Sequence, residues 1–180
     1  MEKANKIAGM IKRNFNFLDK FTFNNLYKAL VRPLLEYGHS IWSPWLIRQS
    51  KVIENVQRRA TKLVPELRNL SYGERLRNLN LPSLKYRRLR GDLIEVYNIL
   101  KEDANGNNKF FKISNITQTR GHSKKLIMQH SNTTIRKNSF SNRVITNWNN
   151  LPNFVVNATD TNRFKNLLDE ALKHLMFQID

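Results

Sequence analysis

The sequence predicts a mainly α-helical protein with one small β-hairpin insert, a minor α+β element, on three observations. Apolar residues recur at helical spacing from Ile7 to Leu63 and again from Leu84 to Leu100. Prolines and short polar residues punctuate those stripes where helix starts and stops belong. After Ala104 the helical period fades, and the turn signal Asn105-Gly106 introduces two short apolar runs, residues 110–113 and 125–128, as the candidate hairpin strands.

The first region, residues 1–65, reads as a three-helix bundle. Ile7, Met10, Ile11 and Phe15 share one face of the first helix. Leu26, Leu30 and Leu34, with Tyr27, Val31 and Tyr37, form the stripe of the second. Thr22 is placed to cap that helix, and Pro33 either kinks or restarts it, because proline lacks an N–H and clashes with the preceding turn. Ser43-Pro44 ends it, and the third helix turns Val52, Ile53, Val56, Ala60 and Leu63 inward. A helical extension over residues 66–103 follows. Ser71 and Glu74 have the spacing of a capping box, Leu81-Pro82 ends a short helix, and Ser83 is placed to cap the longest one. The stripe of that longest helix is Leu84, Leu89, Leu93, Val96, Tyr97 and Leu100. Residues 104–180 hold the hairpin, a helix near residues 139–150, a break at Leu151-Pro152, and a last helix on Phe164, Leu167, Leu168, Ala171, Leu172 and Leu175.

Composition narrows the function. In 180 residues, 31 Lys and Arg stand against 14 Asp and Glu, a net charge of +17, while 40% hydrophobic content is enough to build a core. At that charge self-repulsion opposes compaction unless a polyanion screens it, which makes nucleic acid the first expected partner and an anionic membrane surface the second. The charge is regional. Residues before Pro65 carry twelve basic against four acidic side chains, and residues 104–145 carry eight basic and no acidic ones. Cysteine is absent, which removes disulfides, thiol catalysis and cysteine-ligated metals. Lys and Arg interrupt the first fourteen residues, so no signal-peptide core is expected there, and no apolar run approaches a membrane span. An intracellular protein of the nucleus or cytoplasm is expected.

No catalytic or metal constellation stands out. The acidic pairs Asp92 with Glu95, Glu102 with Asp103, and Asp169 with Glu170 sit in or at the ends of helical segments, where solvated or helix-end charge is the expectation. The histidines, His39, His122, His130 and His174, lack the spacing of a helical zinc site, and no phosphate loop or nucleophile elbow is present. His39 beside Trp42 reads as a packing or capping residue. No cofactor is expected. Trp42, Trp45 and Trp148 are either core anchors or stacking platforms for bases.

Two sets of cations suit the gripping of a sugar–phosphate backbone, which needs Lys and Arg on one face and little base reading. Lys12, Arg13, Lys51, Arg58, Arg59 and Lys62 belong to the first bundle, with Arg87, Arg88 and Arg90 as an extension. Arg120, Lys124, Lys125, Arg136, Lys137 and Arg143 form a second patch interleaved with Asn, Ser and Thr. The competing roles are solubility and ion pairing with residues such as Glu54, Glu66 or Glu95.

Several phrases add to this reading. They are LYKALVRPLLEYGHSIWSP at residues 26–44, VIENVQRRATKLV at 52–64, RNLSYGERLRNLNLPSLKYRRLRGDLIEVYNIL at 68–100, TRGHSKKL at 119–126 and FSNRVITNWNNLP at 140–152. In this order they resemble the part downstream of the polymerase palm in reverse transcriptases of jockey-like non-LTR retrotransposons. The resemblance covers nearly the whole chain. It implies the thumb and post-thumb region of an RNA-directed DNA polymerase, whose fingers, palm and endonuclease precede it. The palm's paired carboxylates have no counterpart here, since the chain holds no Asp-Asp pair. The implied role is therefore non-catalytic in this chain alone: holding an RNA, DNA or RNA–DNA hybrid duplex beside a palm region supplied elsewhere. Starting at Met1, the chain reads as a separate reading frame or a relic of a longer polyprotein. The alternative expectation is a non-binding structural remnant or a protein-interaction module, with a membrane-surface binder ranked last.

Overall fold

The computed structural model describes residues 1–102, 109–114 and 121–179, and it is mainly helical. The described chain forms two compact units. The first comprises residues 1–38, 44–87 and 175–180, and the second residues 39–43 and 88–174. The divisions expected after residues 65 and 103 do not coincide with these. Val64, Leu67, Leu76 and Leu79 join the same core as Phe23 and Tyr27, while Leu93, Val96 and Tyr97 join that of Trp148 and Phe164.

The first unit begins with α1 (Glu2–Asn14) and α2 (Lys20–Leu26). The cap of α2 is Asp19 rather than Thr22: its carboxylate accepts from the Phe21 and Thr22 N–H groups at 2.8 and 3.0 Å. A π-helical turn, Tyr27–Val31, then leads into α3 (Arg32–Glu36). Pro33 thus sits in the first turn of a restarted helix, where its missing N–H costs nothing. The widened turn leaves Tyr27, Val31 and Leu35 all buried on one side. Helix α5 (Ile47–Ala60) buries Ile53, Val56 and Ala60 as expected, but Val52 is exposed, and Glu54 and Gln57 point inward instead.

Those inward polar groups are satisfied by specific partners. The Tyr27 hydroxyl donates to Gln57, whose side-chain amide donates to the Pro82 carbonyl at 3.0 Å. Glu54 accepts from the Tyr72 hydroxyl at 2.6 Å and from the Leu84 N–H at 3.0 Å, so one carboxylate serves both α6 (Tyr72–Leu79) and the start of α7 (Leu84–Glu102). Burial and the adjacent Glu54 push the Tyr72 phenol well above its ordinary range. The expected capping box at Ser71 and Glu74 is present, and the Ser83 hydroxyl accepts from the Tyr86 N–H in the first turn of α7. The chain returns at its end, where the Ser83 N–H donates to the Met176 carbonyl at 2.9 Å and Phe177 packs on the core.

In the second unit, the rest of α7 packs with short helices: α4 (His39–Trp42), α8 (Thr134–Lys137), α9 (Phe140–Arg143), α10 (Ile145–Asn149), α11 (Asn153–Val156) and α12 (Thr161–Ala171). The single helix expected over residues 139–150 is two, α9 and α10. Trp148 is 1% exposed, with Phe164 and the stacked pair Tyr97–Phe164 around it.

The hairpin insert is a correction: among the described residues there is no sheet, only one antiparallel bridge between Ile113 and Leu126. The Ser114 N–H donates to Lys125 and the Ile127 N–H to Lys112. The next rung would bring the Gln129 N–H to the Phe110 carbonyl. The Gln129 side-chain amide takes that acceptor instead, at 3.2 Å, and the ladder stops. The Asn105-Gly106 turn lies outside the described residues.

Three carboxylates, the half-buried Asp19 and the exposed Glu74 and Asp160, accept hydrogen bonds at helix N-termini. Asp19 is held below its ordinary value of 3.8 by hydrogen bonds to Thr22, Glu74 below 4.5 by those to Ser71, and Asp160 below 3.8 by the Arg163 N–H. A depressed carboxyl stabilises the fold above its unfolded pKa and loses that contribution as pH falls through the folded value. Helicity followed by circular dichroism is expected to hold from neutral pH to about pH 4 and to decline below it. Asp160→Asn, which removes one of the three titrations, makes that acid loss shallower.

Candidate nucleic-acid interface

The six cations expected on the first bundle are all exposed and all belong to the first unit. Lys12 and Arg13 occupy the last turn of α1, and Arg58 and Arg59 the last turn of α5, where cations also complement the helix dipole. Lys51 precedes Arg58 by seven residues and so lies on the same face of α5. Lys62 follows in a 3₁₀ turn, Thr61–Leu63. Arg59 donates to the Asn5 side chain at 3.1 Å, which joins the outer surface of α5 to that of α1. The Arg58 guanidinium lies 5.0 Å from the Tyr72 ring centroid, a cation–π contact. Among the described residues, none of these six has an acidic partner.

Beside this face is a cavity of about 200 Å³, lined by Ser50, Lys51, Asn55 and Arg58 of α5, by Lys85 of α7 and by Gln178. Glu54 lies at its base. Lys85 was outside the expected set, although Arg87, two residues on, was in it.

Of the expected extension, Arg88 is buried, while Arg87 and Arg90 are partly exposed and each is held by a carboxylate. In the first unit Arg87 forms a two-pronged ion pair with Glu36. In the second unit Arg90 pairs in the same way with Asp169, and Arg88 is buried at 6% exposure. Arginine's fork matches a carboxylate on two hydrogen bonds, which removes it from competition for phosphate.

The second patch divides likewise. Arg143 donates to both Asp92 oxygens at 3.0 and 3.1 Å and to the His39 and Ser40 carbonyls at 3.2 and 3.0 Å, making it a structural clamp. Burial pushes the Asp92 carboxyl up, against the pull of Arg143. His39 sits against Gly91, where an added Cβ would come within 2.3 Å of its ring, so it is a packing residue. Lys124, Arg136 and Lys137 are exposed, and Lys125 is half-buried. The backbone of residues 124–126 is held from α10. The Trp148 indole donates to the Lys124 carbonyl at 2.9 Å, and the Asn149 amide bonds both the N–H and the C=O of Leu126. His122 is buried, hydrogen-bonded to the Trp148 carbonyl, and held below its ordinary pKa by burial and by Lys125 and Lys124. Arg136 donates to Gln129 at 2.8 Å. Lys109 and Lys112, which the sequence reading passed over, are exposed beside the bridge. Arg120 lies outside the described residues.

Of the tryptophans, Trp42 and Trp45 are exposed and Trp148 is a core anchor. Among the described residues no three His, Asp or Glu side chains converge on a point where a metal could bind, and no helix is long and apolar enough to cross a membrane. Comparison with known proteins returns no matching family model, no matching curated protein and no matching solved structure.

Proposed function

We propose that this chain is the thumb and post-thumb region of a jockey-like non-LTR retrotransposon reverse transcriptase, and that it binds the backbone of an RNA, DNA or hybrid duplex without catalysing a reaction alone. The phrases quoted from residues 26–152 support the origin. In this reading α1, the α2–α3 pair and α5 are the thumb-like three-helix bundle. The observation that carries the binding role is the set of exposed cations without acidic partners on α1 and α5, in a chain of net charge +17. The contact set is Lys12, Arg13, Lys51, Arg58, Arg59 and Lys62, joined by Lys124, Lys125, Arg136 and Lys137 in the second unit. A palm region supplied elsewhere is the protein partner of this reading, and the nucleus or cytoplasm its place.

The test is a titration of a labelled RNA–DNA hybrid at several salt concentrations. With six phosphates neutralised, affinity is expected to fall by about a thousandfold between roughly 50 and 200 mM salt. Arg58→Ala, Arg59→Ala and Lys62→Ala together weaken binding to all sequences alike and lower the salt slope by about three. A salt-independent response removes the proposal.

A second reading, a protein-interaction module without nucleic-acid binding, is favoured by exposed aromatic side chains on the first unit. Phe15, Phe17 and Phe21 are 40%, 65% and 75% exposed around the α1–α2 connection. Such clusters mark protein contacts when they are contiguous. The same titration separates the two readings.

A further inference from the structure

We propose that Phe15, Phe17 and Phe21, on the connection between α1 and α2 and in the first turn of α2, form a stacking platform for the unpaired bases of a single nucleic-acid strand. The inference rests on the nucleic-acid reading above and adds a second form of the ligand to it, since a duplex keeps its base faces inside.

The local sequence decides which rings are left outside. Of the apolar residues between α1 and α2, Leu18 is taken into the core, while Phe15 and Phe17 stay at the surface. Asp19 then fixes the start of α2 by accepting from the Phe21 and Thr22 N–H groups. From that start Phe21 and Phe23 are two positions apart, about 200° around the helix, so burying Phe23 turns Phe21 outward. None of the three rings belongs to the core or to the partly buried residues packed on it. Among the described residues none makes a ring–ring or cation–π contact, so their faces are open.

Charge selects the occupant. The charged side chains from residue 12 to residue 21 are Lys12, Arg13, Asp19 and Lys20. Lys20 is paired with Glu66 at 3.3 Å, and the half-buried Asp19 is engaged at the start of α2. Lys12 and Arg13 remain, exposed in the last turn of α1 and without acidic partners among the described residues. Phe15 follows Arg13 by two residues, a Cα–Cα reach of at most about 7 Å, so the rings continue the cationic surface of α1. Each nucleotide of a strand carries both an anion for those cations and a flat apolar face for a ring, and every base has such a face, so the contact tolerates any sequence. An acidic protein segment answers the charge too. What separates the two occupants is whether the flat ring, and not apolar area alone, is what binds.

Three labelled probes test the proposal by anisotropy: a short oligothymidylate, an abasic strand of the same length, and the RNA–DNA hybrid. The oligothymidylate is expected to bind about thirtyfold tighter than the abasic strand, the lower end of the range for two stacked bases. Phe17→Ala with Phe21→Ala removes that difference and leaves hybrid affinity and the salt slope unchanged, because no phosphate contact is lost. Phe17→Tyr with Phe21→Tyr keeps the difference, whereas Phe17→Leu with Phe21→Leu, which keeps apolar area without a ring, loses most of it. Circular dichroism verifies that the variants are folded.

Equal affinity for the two strands, or a difference that survives the alanine or the leucine pair, overturns the platform and leaves the salt-sensitive backbone reading standing. Binding of none of the three probes overturns both and leaves the rings to a protein contact.

Discussion

Replacing Arg143 by alanine is expected to cost about 3–5 kcal/mol of stability, the loss found when one partner of a buried ion pair is deleted. The Arg143 and Asp92 side chains are 16% and 8% exposed, and the guanidinium also satisfies two main-chain carbonyls of residues 39 and 40. Its removal strands a carboxylate in the interior and frees the α4 segment. Thermal or urea unfolding measures the effect. Because burial already pushes the Asp92 carboxyl up, the pair itself adds little net stability, and the double variant Asp92→Leu with Arg143→Met recovers much of the loss. If the proposed duplex binding is observed, its salt slope is expected to be the same in Arg143→Ala, whose guanidinium is held by Asp92. A lowered slope would return Arg143 to the contact set.

Trp148→Ala is expected to remove a further anchor, at about 3–5 kcal/mol, by leaving a cavity against Phe164 and the α7 stripe. The indole also holds the Lys124 carbonyl. Its loss is therefore read twice: as a lower unfolding midpoint in urea, and as loss of hydrogen-exchange protection in residues 124–126. Trp148→Phe keeps most of the packing but not the N–H donor. It is expected to restore much of the midpoint and, because Asn149 still accepts from the Leu126 N–H, the exchange protection of that amide as well.

What was legible in the sequence was what depends on near neighbours. The capping box at Ser71 and Glu74, the Ser83 cap of α7 and the stripe of α12 are set by residues three or four positions apart, so periodicity and cap chemistry suffice to read them. The partners of the arginines are a different problem. Arg87 finds Glu36, Arg90 finds Asp169 and Arg143 finds Asp92, across 51, 79 and 51 residues. No local pattern distinguishes those arginines from Arg58 or Arg59, which have no such partner. Cation-rich helices therefore suggested more unpaired cations than the fold leaves.

The hairpin and the Thr22 cap failed for a related reason. Residues 110–113 and 125–128 have strand-like composition, but the Gln129 side chain competes successfully for the Phe110 carbonyl, and nothing in an apolar count anticipates that. Thr22 has the chemistry of a cap, yet Asp19 accepts from the Phe21 and Thr22 N–H groups with a full charge and starts the helix a turn earlier. The inward turn of Glu54 and Gln57 was equally hidden, because their phenol and backbone partners come from the π-helical turn, α6, Pro82 and the start of α7.

The first unit includes residues 175–180, whose Met176 carbonyl receives the Ser83 N–H and whose Phe177 lies on the Phe23–Tyr27 core. During translation those residues leave the ribosome only after all of 88–174 has been made, on the order of 5–15 s later at about 5–20 residues per second. Throughout that interval the nascent unit has no final segment and its apolar surface is uncovered. A chain that stops before Leu175 thus lacks both the Met176 acceptor of the Ser83 N–H and the Phe177 contact with that core.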